Sequence, residues 1–85
     1  MCSAHSLPSR TLRGTVINVD HSPTGVYVTI EGIDRPFTFT IDEHGKELAE
    51  KARRLPIGSE AVITYVEIAD GDAMIRLGRE IHGRA

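Results

Sequence analysis

The stretch GVYVTIEGIDRPFTFTID, residues 25–42, decides the fold of this chain. Apolar and polar residues alternate in both of its halves, which is the pattern of strands that each bury one face. Its two predicted strands are Gly25–Glu31 and Phe37–Ile41. The connection GIDRP between them is short, with Pro36 at the start of the strand Phe37–Ile41, where a missing N–H is tolerated. The stretch therefore predicts a β-hairpin.

Alternation also predicts which side chains of the hairpin face the core. The residues of the predicted core face are Val26, Val28, Ile30, Phe37, Phe39 and Ile41. The opposite, outer face carries Tyr27, Thr29 and Thr38. A tyrosine among threonines on the solvent side of a sheet raises the question of what it binds.

Three more strands and one helix are predicted on either side of this hairpin. A first strand in TLRGTVINVD, residues 11–20, has an irregular apolar spacing around Gly14 that indicates a bend or bulge. After the hairpin the apolar period lengthens, which predicts a helix from residue 43 or 46 to 54, ended by Pro56. Strands at 62–68 and 73–77 follow, joined by a tight turn at Asp70-Gly71.

Five strands with one apolar face each can bury those faces in a single layer only by closing into a barrel. We therefore predict a mostly β domain: a small five-stranded OB-type Greek-key barrel with one α-helix between strands 3 and 4. The predicted boundaries are a flexible tail over residues 1–9, one barrel domain over residues 10–81, and a C-terminal tail over residues 82–85.

Composition narrows the classes of partner. The net charge is −2 and the pI is near 6.0, which argues against a strongly basic nucleic-acid binder, although residues 73–85 carry a net charge of +2. The single cysteine, Cys2, allows no internal disulfide and no cysteine zinc site. No apolar run approaches the roughly 20 residues of a membrane span, and the N-terminus lacks a signal-peptide core. A cytoplasmic protein without a membrane partner is expected.

The first two and the last two strands resemble a known family. RGTVINVDHSPTGVYVTIEG is similar to the opening of the ribosomal S-one-type RNA-binding domain, and IGSEAVITYVEIADGDAMIRLGRE is similar to its closing strands. The matching positions are Gly14, Val16, Val19, Gly25, Tyr27, Val28, Ile30, Gly58, Val62, Val66, Ile75 and Leu77. The resemblance implies an OB fold and RNA binding through aromatic and basic residues, and Tyr27 is the binding-type aromatic that matches.

These observations predict weak binding of single-stranded nucleic acid, RNA or DNA, on the outer face of the hairpin. Tyr27 would stack on a base and arginines would contact phosphates. The candidate binding residues are Tyr27, Thr29, Thr38, Arg13, Arg35 and Arg76.

An alternative hypothesis is a protein-interaction module or a homodimer. Its interface would use Ile33, Ile63 and Tyr65, which are expected to be exposed, or an open strand edge. A third hypothesis is an accessory subunit of a larger enzyme. The four histidines show no metal-ligand spacing, and the chain has no phosphate-loop glycines and no nucleophile motif. We therefore predict no enzymatic activity, no cofactor and no metal.

Overall fold

The computed structural model of the chain describes residues 8–42 and 45–84. The elements, in chain order, are β1 (Arg10–His21), β2 (Gly25–Ile30), β3 (Phe37–Thr40), α1 (Lys46–Arg53), β4 (Glu60–Asp70) and β5 (Ala73–Arg84). This is the predicted order, with the helix between the third and fourth strands. Residues 1–7 of the predicted tail and the alternative helix start at residue 43 lie outside the described residues.

The five strands form one sheet that closes on itself into a ring, in the order β1-β2-β3-β5-β4. Closure depends on β1, which pairs with β4 over Arg10–Thr15 and with β2 over Val16–His21. A bulge at Ile17 lies just after this change of partner, three residues beyond Gly14, near which the sequence predicted a bend. Bulges bend a strand and increase its twist, which lets one long strand serve two neighbours.

The predicted core face of the hairpin is confirmed at five of its six residues: Val26, Val28, Ile30, Phe37 and Phe39 are all buried. The prediction for Ile41 is wrong, because this residue follows the end of β3 at Thr40 and is 42% exposed. Other strands and the helix contribute further buried side chains to the same cluster, namely Val16, Ala49, Ala52, Ala61, Ile63, Tyr65 and Ile81. The helix contacts β1, β2, β3 and β5, so it covers one opening of the ring.

The predicted orientation of β4 is wrong. Ile63 is fully buried and Tyr65 is only 9% exposed, whereas the sequence predicted both to face solvent. Tyr65 packs edge-on against Phe37, with ring centroids 4.8 Å apart and planes inclined by 67°. The strand carries aliphatic side chains on both faces, so alternation alone does not distinguish them. The pairing with β5 decides which face of β4 is buried, because Ile63 lies opposite the buried Ile81.

The last strand is longer than the sequence indicates. β5 continues to Arg84, so residues 82–84, expected in a C-terminal tail, pair with the start of β4. At the other end of the hairpin Asp70 pairs with Ala73, which makes Gly71 and Asp72 the two central turn residues. Gly71 has a φ of +66° and Asp72 has a negative φ, the combination of a type II′ turn. The predicted tight turn is therefore present, shifted by one residue.

Candidate functional site

Strand register brings five side chains into one line across the outside of the ring. Because directly paired residues share a face of the sheet, successive pairs extend this line from β1 through β2, β3 and β5 to β4. We call it the outer row; its members are Asp20, Tyr27, Thr38, Leu77 and Val66. Tyr27 is half-buried between two buried neighbours in sequence, so its predicted outward orientation is confirmed.

Threonines surround Tyr27 on this face. Thr38 lies directly opposite Tyr27 on β3, and Thr29 follows two positions along β2, opposite Asn18. Thr40 lies at the end of β3, opposite Gly25, and its hydroxyl donates a hydrogen bond of 3.3 Å to the Asp42 carboxylate. Three hydroxyls beside one half-exposed aromatic ring give a surface that can both stack and hydrogen-bond.

Arg13 does not reach the outer row. It is exposed on the first half of β1, where it pairs with Val62 of β4. Asp20, the β1 member of the outer row, lies seven residues further along the same strand, which corresponds to roughly 20 Å. The structure therefore separates Arg13 from Tyr27, which the sequence analysis placed in one site, because β1 changes partner between Arg13 and Asp20, the residue opposite Tyr27.

Arg76 lies on the inner face, although the sequence predicted it on the outer one. It pairs with Phe37 and with Glu67, and its guanidinium carbon lies 5.8 Å from the centre of the Phe37 ring. Its Nε is 3.5 Å from Glu67 and its Nη1 is 3.6 Å from Asp34. Only 23% of its side chain is exposed. Arg76 is thus engaged at the mouth of the ring by two carboxylates and an aromatic face.

We expect Arg76→Met to reduce the free energy of unfolding by about 1–3 kcal/mol, because it removes the nearer cation of the partly buried Glu67 carboxylate and leaves only the exposed Arg10, 4.0 Å away. Glu67→Gln should relieve part of that loss, so the double variant should lose less than the two single variants added together. Urea denaturation of all four proteins measures this coupling. Strictly additive losses would contradict the ion pair.

Arg35 and Ile33 both lie in the β2–β3 connection. Arg35 is exposed and donates a hydrogen bond of 3.1 Å from Nη1 to the carbonyl oxygen of Met74, which ties this connection to the β4–β5 hairpin. Ile33 is half-buried and packs against the core. With Ile63 and Tyr65 buried as well, none of the three residues of the alternative interface is the exposed anchor that the sequence predicted.

The structure adds one cation that the sequence analysis missed. Thr64 pairs with Glu80 and Tyr65 with Gly78, so Arg79 is an extra, bulged residue in β5. Its exposed side chain lines a groove of about 440 Å³ beside Thr40 and Leu77, at the edge of the outer row. Within residues 8–42 and 45–84, Arg79 makes no ion pair. The sequence could have indicated Arg79 only if the predicted fifth strand had been extended past Leu77.

Charge is distributed unevenly along the outer row. At the β1 end Asp20 is exposed, and its carboxylate accepts a hydrogen bond of 2.9 Å from Asn18. On the β3–β5 side lie Arg79, in a groove that Asp42 also lines, and Arg35, which contacts Met74 of the β4–β5 hairpin. The cations near this face therefore lie on the β3–β5 side of Tyr27 and not on the β1 side.

Two other kinds of site were sought in the described part of the chain. No three of its His, Cys, Asp or Glu side chains come together as a metal site would need. None of its helices has the length and apolarity of a membrane-crossing segment.

Comparison with known proteins leaves the site to be interpreted from its own geometry. No family model, no curated protein and no solved structure matches the chain.

Proposed function

We propose that the chain is an OB-type Greek-key barrel that binds single-stranded nucleic acid, RNA or DNA, on the outer row, without catalysis. Three features support the fold assignment: the strand order, the long β1 shared between β2 and β4, and the helix between β3 and β4. Barrels of this type bind oligonucleotides on the face of strands 2 and 3 and between the loops that join strands 1–2 and 4–5.

The observation that carries the proposal is the position of Tyr27. Its ring is half-exposed in the middle of the outer row, on β2, with Thr38 opposite it on β3. A base can stack on such a ring regardless of its identity, and each stacked base contributes about 1–3 kcal/mol. The hydroxyls of Thr29 and Thr38 can then bond to the sugar or phosphate beside the stacked base.

The available cations set the strength of the interaction. Arg79 and Arg35 lie beside the outer row, while Arg13 is remote and Arg76 is paired with Glu67 and Asp34. Two phosphate contacts to a single strand give a slope of log affinity against log salt of about −1.4. We therefore propose a weak, sequence-tolerant interaction that is favoured at low salt, in agreement with the net charge of −2.

We expect Tyr27→Ala to weaken binding of a short single-stranded oligonucleotide by about 10- to 100-fold, because it removes the stacking surface. Tyr27→Phe, which keeps the ring, should bind as the parent does. Fluorescence anisotropy with labelled RNA and DNA oligomers, repeated at increasing salt, measures both effects.

The same titration contains the control for charge. Arg79→Gln should reduce both the affinity and the salt slope, whereas Arg76→Gln should leave the salt slope unchanged. Absence of binding to either oligomer at low salt would refute the proposed function. Equal binding by the Tyr27→Ala variant would refute the stacking role alone.

A further inference from the structure

One edge of β5 lacks a neighbouring strand over half its length. β5 pairs with β4 along its whole length except at the bulged Arg79, but with the parallel β3 only at Arg76 and Leu77. Among the described residues, no strand pairs with Gly78–Arg84 on the side away from β4. Seven residues of strand span roughly 23 Å and present alternating N–H and C=O groups. Such an edge is a template for another strand.

A groove runs between this edge and the C-terminal half of α1. Its volume is about 360 Å³, within the range of roughly 300–1,000 Å³ that ligand sites occupy. Its lining residues are Lys51, Arg54, Leu55, Ile81, His82 and Gly83. Leu55 and Ile81 are apolar, and Gly83 packs so closely that a Cβ added to it would lie 3.0 Å from Leu55 Cδ2. We call this site the α1–β5 groove.

The charge of the α1–β5 groove is opposite to that of the chain. Two of its six lining residues, Lys51 and Arg54, are cations and none is acidic, although the net charge of the chain is −2. Of the two nearby carboxylates, that of Glu80 lies 3.3 Å from His82 Nε2, and that of Glu50 is engaged mainly by Arg53, which donates a hydrogen bond of 2.8 Å and lowers the pKa of Glu50. Arg54 lies 3.9 Å from the same carboxylate and is 78% exposed. Its charge is therefore available to a partner.

We infer that the α1–β5 groove binds an acidic segment of another protein in extended conformation, as a strand added to the free edge of β5. An extended peptide matches both features of the site, because its backbone supplies alternating donors and acceptors and its acidic side chains face Lys51 and Arg54. A nucleic-acid strand matches only the charge. The inference is independent of the outer row and of the proposed function.

The test uses a labelled octapeptide of alternating Glu and Val with blocked ends, and its Lys–Val counterpart. We expect the acidic peptide to bind and the basic peptide not to bind, by fluorescence anisotropy. When the acidic peptide is bound, amide hydrogen exchange of the protein should slow at those residues within Gly78–Arg84 whose N–H groups point away from β4. Binding without slower exchange on this edge would overturn strand addition.

Charge-reversal variants provide a matched control. Lys51→Glu with Arg54→Glu should weaken binding of the acidic peptide by about tenfold or more. Lys46→Glu with Arg35→Glu makes the same change in net charge outside the groove lining, keeps the Arg53–Glu50 pair, and should bind as the parent does. Equal loss in both double variants would overturn the site.

Two further outcomes would replace the inference. A dimer in sedimentation that protects the same β5 amides would assign the edge to a second copy of the chain. Displacement of the peptide by a single-stranded oligonucleotide would assign the groove to nucleic acid. A Tyr27→Ala variant should retain full peptide affinity, which separates this test from that of the proposed function.

Discussion

Ile63→Lys is expected to leave the domain largely unfolded at room temperature. Ile63 has no exposed surface and lies in the core opposite Ile81. An ammonium group there would have to lose its water or its proton, at a cost of at least about 4 kcal/mol. Small domains have total stabilities near the lower end of about 5–15 kcal/mol, so one such change removes most of the margin.

The matched control is Thr64→Lys, one residue along the same strand and half-buried. Because Thr64 is directed away from the core, its lysine can extend into solvent, and we expect a loss of less than about 1 kcal/mol. Far-ultraviolet circular dichroism with urea titration measures both variants. If Thr64→Lys unfolded the protein and Ile63→Lys did not, the orientation of β4 described above would be inverted.

Gly78→Ala is expected to reduce the free energy of unfolding by about 3 kcal/mol. Gly78 is buried opposite Tyr65, and a Cβ at this position would overlap three carbons of the Phe39 ring. The ring cannot move aside without cost, since Phe39 is itself only 1% exposed in the close-packed core. The only alternatives are a shift of β5 or a strained rotamer of Phe39.

Gly83→Ala is the matched control in the same strand. Its added methyl group would meet only the tip of the Leu55 side chain, which can adjust by a few tenths of an ångström, so we expect a small effect. Phe39→Leu should partly rescue Gly78→Ala, giving a double variant more stable than the sum of the single losses indicates. Equal tolerance of alanine at both glycines would show that Phe39 does not pack on Gly78.

The hairpin was predictable because its two faces differ sharply in polarity. In β2 and β3 every core position is aliphatic or aromatic, while Thr29, Thr38 and Thr40 lie on the other face. Side chains with a period of two then leave a single arrangement that buries the apolar set. The same contrast placed Tyr27 on the outer face, and with it the central residue of the proposed site.

The orientation of β4 was not predictable from alternation. Ile63 and Tyr65 alternate with Val62, Thr64 and Val66, so either face can serve as the apolar one. The choice is made by tertiary pairing with β1 and β5, and Val66 is only 6% exposed although it lies on the opposite face from Ile63 and Tyr65. A local pattern carries no information on such pairings.

The arginines of the site were only partly predictable for a related reason. Arg76 lies inward because ring closure pairs it with Phe37, and Arg79 lies outward at a bulge in the part of β5 beyond the predicted strand. Local alternation predicts neither the register between strands distant in sequence nor the position of a bulge. The sequence therefore predicted the aromatic part of the site and not the position of its charges.

The most direct test of the central claim is a titration of the ¹⁵N-labelled protein with a short single-stranded oligonucleotide, followed by amide chemical shifts. Binding on the outer row predicts that the largest changes occur at Tyr27, Thr29, Thr38, Leu77 and Arg79, with little change in α1. Shifts confined to Lys51–Leu55 and Ile81–Gly83, or none at high oligonucleotide concentration, would contradict it.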